Sequence, residues 1–255
     1  MRNTRVLVAT ALAVVALAAV AVAVAQTTTT TTVYKVGGTV TIHGGTKAKP
    51  KPGGLSFSFD VSDPSGNQTP PVQTYTIMYE GGRLNTTLLP GCSAATINTP
   101  NLPDTGLCPA GSKIGTGRLS ALIGAAGRPV SEASPCQATL QLYNGGKGHA
   151  TLFVSSELAT CPVALRQAID MRYVTKGAYA GLRFTVPDEL RHQVGLDITV
   201  THAEATLATI VKTKKGKKAG YIESTGCQDA TRDMVVTFTD ESGQAFPART
   251  TLGRC

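Results

Sequence analysis

Along most of this chain apolar and polar residues take turns. Leu55, Phe57, Phe59 and Val61 alternate with Ser56, Ser58 and Asp60, and residues 72–79 repeat the pattern through Tyr75, Ile77 and Tyr79. Successive side chains of an extended backbone point to opposite faces, so a period of two predicts strands with one face on a core and one in water. Between these stretches, Asp63-Pro64-Ser65-Gly66-Asn67 is a turn by its chemistry: proline pre-sets φ, and glycine or asparagine accepts a positive φ. Further strands are expected at 39–42, 114–123, 180–186, 234–238 and 246–252. The runs 138–143 and 150–154 flank Asn144-Gly145-Gly146, a hairpin signal. Residues 196–211 are strand-like but broken around Ala203-Glu204-Ala205. Residues 212–218 read as a hairpin tip returning through Tyr221 and Ile222.

Two places depart from this rhythm. Val163, Leu165, Ile169 and Met171 fit neither period, which makes 161–174 the best candidate for a short helix, and Pro187-Asp188-Glu189-Leu190 allows one helical turn. The stretch 89–117 holds Cys92 and Cys108 around a proline- and glycine-rich loop that no helix or strand is expected to hold by itself. Short strands with regular punctuation, no long helical period and no fixed repeat predict an all-β fold. The expected form is an antiparallel β-sandwich, immunoglobulin-like or jelly-roll-like.

The ends set the compartment. Arg2 and Arg5 precede an apolar run over 6–25 broken only by Thr10, and Ala23-Val24-Ala25 puts small residues before Gln26. That is the pattern of a secretory signal peptide over 1–25. The run is also long enough to cross a bilayer as a helix, so an uncleaved N-terminal anchor is the competing expectation and the chain's one route to a membrane. Residues 26–32, a glutamine and six threonines, read as a low-complexity spacer, and 33–255 as a single domain. All six cysteines lie in that domain, at 92, 108, 136, 161, 227 and 255. In an exported chain this predicts three disulfides among fifteen possible connectivities, with sequential pairing preferred. Each closure is worth about 3–4 kcal/mol on the chain-entropy model. No CxxC occurs, and the spacings match no zinc module.

Charge adds one feature. The formal net charge is +8, two of it from Arg2 and Arg5, and five lysines crowd into seven residues: Lys212, Lys214, Lys215, Lys217 and Lys218. Such a run predicts contact with anionic cell-envelope polymers or lipid headgroups, set against the plainer role of a solvated tip that discourages strand-to-strand association. Aromatics that would stack on bases are not interleaved with it, so no specific nucleic-acid partner is expected.

Other constellations carry less. Residues 111–117 resemble a phosphate loop only in their glycines, because no Lys-Ser/Thr opens a helix there, and there is no GxSxG elbow. Asp60, Asp63 and Asn67 offer too few carboxylates for a calcium loop, and Asp240 with Glu241 reads as a turn. His43, His149, His192 and His202 are scattered without a metal-binding pair; His202 beside Glu204 is the least ordinary of them. No cofactor, metal or catalytic residue is assigned.

Taken together, LPGC ending at Cys92, CPAGSKIGTG over 108–117, YNGG ending at Gly146, FTVP ending at Pro187, the lysine hairpin, STGC ending at Cys227 and the terminal Cys255 resemble a group of secreted actinobacterial β-rich proteins. These carry a CPxxSxxGTG segment, a YNGG- or FNGG-like turn and a cysteine-bounded C-terminal hairpin. The resemblance spans nearly all of 33–255. It implies export and a β-rich fold, brings no catalytic residues, and favours sequential cysteine pairing. The functional expectation is an exported, non-enzymatic protein that binds or scaffolds at the cell envelope. The alternative is a secreted hydrolase whose Ser or Thr, His and carboxylate converge from loops.

Overall fold

The alternating stretches form strands in a computed structural model that describes residues 31–42, 44–99, 101–214 and 216–255, with the backbone alone at 214. The expected export segment, most of the threonine spacer, His43 and Lys215 lie outside the described residues. In chain order the strands are Val33–Val40 (β1), Lys51–Gly53 (β2), Leu55–Ser62 (β3), Val72–Glu80 (β4), Gly82–Leu84 (β5), Lys113–Gly124 (β6), Ser134–Gly146 (β7), His149–Ser155 (β8) and Arg166–Lys176 (β9). They continue with Tyr179–Thr185 (β10), His192–Gln193 (β11), Leu196–Leu207 (β12), Val211–Lys214 (β13), Lys217–Gly220 (β14), Ile222–Ser224 (β15), Thr231–Asp240 (β16) and Ala245–Arg254 (β17). A five-residue helix, Ala94–Asn98 (α1), and three single 3₁₀ turns are the helical elements among the described residues.

Twelve strands make one antiparallel sheet in the order β1-β3-β12-β6-β7-β8-β9-β10-β4-β16-β17, with β11 added beside β12. Its outer strands come together: a Cβ added at Gly38 of β1 would stand 2.9 Å from Leu252 of β17. The sheet is therefore nearly a closed barrel, and an almost closed sheet leaves little edge for unwanted pairing. The small sheet β2-β15-β5 brings Leu84 and Ile222 into the same core.

Inward positions follow the alternation. Met234, Val236 and Phe238 of β16 are wholly buried, and Phe59, Tyr75 and Phe238 pack ring on ring with centroids 5.3–5.7 Å apart. Tyr34 stacks on Phe238 at 4.4 Å. The disulfides form in sequential pairing: Cys92–Cys108, Cys136–Cys161 and Cys227–Cys255. Beside the last bridge, the fully buried Arg232 donates to the carbonyl of Glu80 at 3.1 Å and to Ser224 Oγ at 2.6 Å. Desolvation lowers the pKa of its guanidinium from the ordinary value.

Three expectations are corrected. Residues 166–176 are strand β9, not helix. Ile169 and Met171 face the barrel, but Ala168 is buried from outside, under α1 with Ile97 and Phe153, and this second burial hid the period of two. β10 pairs with β9 only over Arg172 to Lys176, so the first half of β9 has no strand there. The Asn98 side chain takes that place, donating to the Ala168 carbonyl at 2.9 Å and accepting from its N–H at 3.0 Å. That helix lies inside the loop closed by Cys92 and Cys108 and is capped by Ser93, whose Oγ accepts from the Thr96 N–H at 3.1 Å.

The second correction concerns Asn144-Gly145-Gly146, which is not the hairpin turn. It lies within β7 at a register shift, with Gly146 at φ +106°, and the chain reverses through Lys147 and Gly148. Asn144 is fully buried and donates to the carbonyls of Thr86, Leu89 and Pro90, so the YNGG and LPGC motifs meet. Third, β12 runs unbroken through Ala203-Glu204-Ala205; its irregularity is a bulge between Val200 and His202.

Candidate functional site

Among the described residues, a lysine-rich end and a space inside the barrel stand out as places that can hold a partner. The lysine end is built by β13 and β14, a hairpin paired from Val211–Gly220 to Lys214–Lys217 and joined to no other sheet. Gly220 closes it against β2, where an added Cβ would sit 2.7 Å from Pro52 Cβ. This contact joins two distant basic segments. Lys47, Lys49 and Lys51 lead into β2, and Lys212, Lys217 and Lys218 lie on the hairpin; all six are exposed. The base is held firmly: the 46–49 turn is closed by paired backbone bonds between Thr46 and Lys49 at 3.1 Å, and Ser224 Oγ donates to the Gly44 carbonyl at 2.6 Å.

The nearest buried carboxylate is already engaged. Glu223 accepts from Arg83 Nε at 2.9 Å and from the Gly220 N–H at 3.0 Å. Among the described residues the ion pairs are made by arginines and histidines, and none involves a lysine. Like charges gathered on one exposed end without counter-charges make a positive local field that attracts polyanions. Lys212, Lys217 and Lys218 were singled out from sequence; Lys47, Lys49 and Lys51 were read only as a polar connector. Their part in the same end depends on long-range pairing of β2 with β15, which no local signal reveals.

Inside the barrel, the walls do not meet everywhere. A cavity of about 120 Å³ is walled by β3, β4, β6 to β10 and β12, with Leu84 and Ile222 also in its lining. Leu182 and Phe184 of β10 alternate with the exposed Arg183 and Thr185, so their residual accessible surface looks inward; Leu119 and Val200 are likewise only half-buried. The lining is hydrocarbon apart from tyrosine rings and Glu204, whose carboxylate is engaged on the outer face by Arg118 at 3.1 Å.

Every described histidine has a carboxylate partner. His149 Nδ1 is 2.8 Å from Asp170, His202 Nδ1 is 2.8 Å from Asp60, and His192 lies between Asp197 at 2.9 Å and Glu241 at 2.6 Å. Only Asp197 is close in sequence to its histidine; Asp170, Asp60 and Glu241 come from other strands or turns, so spacing gave no sign of those pairs, and His202 takes Asp60 on β3 rather than the nearby Glu204. Among the described residues no serine or threonine hydroxyl reaches an imidazole, so these pairs can orient a histidine but hold no nucleophile for acyl transfer. Asp188, His192 and Glu241 come within metal-ligand reach of one another, yet the Arg191 guanidinium pairs with both carboxylates and already supplies the cation.

The remaining candidates are turns and strand ends. Asp63 Oδ1 accepts from the Ser65 N–H at 2.8 Å, Asp240 Oδ1 accepts from the Gln244 N–H at 2.9 Å, and Gly111 precedes the start of β6. Neither a scan against protein-family models nor searches of curated proteins and of solved structures finds a match.

Proposed function

We propose that this is an exported, non-enzymatic binding protein that attaches to anionic polymers or lipid headgroups of the cell envelope through its lysine-rich end. The observation that carries this reading is the meeting of the 47–51 and 212–218 segments at the Gly220–Pro52 contact, without a carboxylate paired to any lysine among the described residues. The three intramolecular disulfides are compatible with an oxidising, extracytoplasmic compartment. We read the wrapped sheet as a flattened barrel whose facing walls pack like the layers of a sandwich, a rigid body behind a charged tip.

The test is retention on isolated cell walls and on vesicles containing anionic lipid. A lysine near such a surface is worth about 1 kcal/mol, so changing Lys212, Lys217 and Lys218 together to glutamine should weaken retention about 100-fold at low salt. The difference should shrink as salt rises. Unaltered retention would remove the lysine end from consideration.

A further inference from the structure

We infer that the cavity inside the barrel is a binding site for one small, neutral, apolar molecule of about the size of benzene. The space is about 120 Å³ and is walled by aliphatic and aromatic side chains. A water molecule needs two to four polar partners, and an apolar cavity of about 150 Å³ lined by leucine, isoleucine and phenylalanine stays dry and takes up benzene or xenon. The present cavity is of that kind and close to that size.

Its emptiness has a local cause. β12 contributes only Ala203 and Ala205 where larger residues would reach Leu182 and Phe184 across the barrel. Wall atoms without neighbours forgo dispersion contacts, and a hydrocarbon guest restores them. Charge is excluded by the same lining: the carboxylate of Glu204 is held on the outer face by Arg118, so an ionic guest would find no partner inside. The inference is independent of the lysine end, which lies on a separate hairpin.

The test follows methyl resonances of the disulfide-bonded protein by NMR as benzene is added, with benzoate as the charged control and xenon as a second apolar probe. Benzene and xenon should produce saturable shifts at Leu119, Leu182 and Val200, and benzoate should produce none there. Leu119→Phe, which grows into the cavity, should weaken benzene binding about tenfold or more. Leu182→Ala should admit larger alkylbenzenes that the native protein refuses. Glutamine at Lys212, Lys217 and Lys218 should leave all of this unchanged. The inference fails if the native methyls do not move up to the solubility limit of benzene, if benzoate moves them equally, or if Leu119→Phe binds benzene as well as the native chain. Should Leu119→Phe not fold, the titration of the native protein with the benzoate control decides the matter.

Discussion

Where β4, β16 and β17 face β1 and β3, Phe59, Tyr75, Phe238 and Tyr34 close on one another and leave Phe238 with no accessible surface. Beyond Tyr75, on which Phe184 stacks at 5.2 Å, the interior opens into the cavity bordered by Leu119, Leu182, Ala203 and Ala205. Both regions obey the same alternation and the same antiparallel pairing. What separates them is side-chain volume. Alternation decides which residues enter the interior, and size decides whether the interior is filled.

This contrast sets a rank order of mutational effects. Phe238→Ala removes a ring packed on every side and should cost about 3–5 kcal/mol in urea unfolding. Loss of the Cys92–Cys108 bridge by paired alanine substitution should cost about 3 kcal/mol. Leu182→Ala removes a side chain that already borders empty space, and about 1 kcal/mol is expected, below the usual range for a buried leucine. A loss as large as that at Phe238 would show the two regions to be packed alike. Leu119→Phe should change stability least, by less than about 1 kcal/mol, because the added atoms have somewhere to go.

Alkaline pH probes the buried tyrosines of the whole core. Burial, helped by the negative charge of Asp240, pushes the Tyr34 phenol up to about 12, and burial drives Tyr75, Tyr79 and Tyr221 upward as well. A phenol whose pKa is raised on folding contributes stability that is complete below its unfolded value near 10 and is lost as pH rises through the folded value. Phenolate absorbance from these four tyrosines should therefore appear late and together with loss of near-UV dichroism. Smooth titration near pH 10 with the fold intact would contradict the packing described for Tyr34 and Tyr75.

Much of the fold was legible in the sequence. The strands at 55–61, 72–79 and 234–238 announced themselves because one face is apolar and the other is not. β9 did not, because Ala168 is covered from outside by the helix of the Cys92–Cys108 loop, 70 residues earlier at Asn98. Asn144 read as a turn residue because its three carbonyl partners come from 86–90, over fifty residues earlier. Of the lysine end, the hairpin half was visible and the connector half was not. The cavity was not visible at all, since Ala203 and Ala205 look ordinary until the strands opposite them are known.

The Asn98 amide standing in for a missing strand beside β9 gives the Cys92–Cys108 bridge a second duty. A thiol reductant is expected to loosen the loop that carries Asn98 and, where the loop lifts, to uncover unpaired amide and carbonyl groups along the first half of β9. Such a rim is a template for another polypeptide, and molecules so unmasked would join rim to rim into ribbons rather than simply unfold. A rise in light scattering on mild reduction, absent from the untreated protein, is the expected sign.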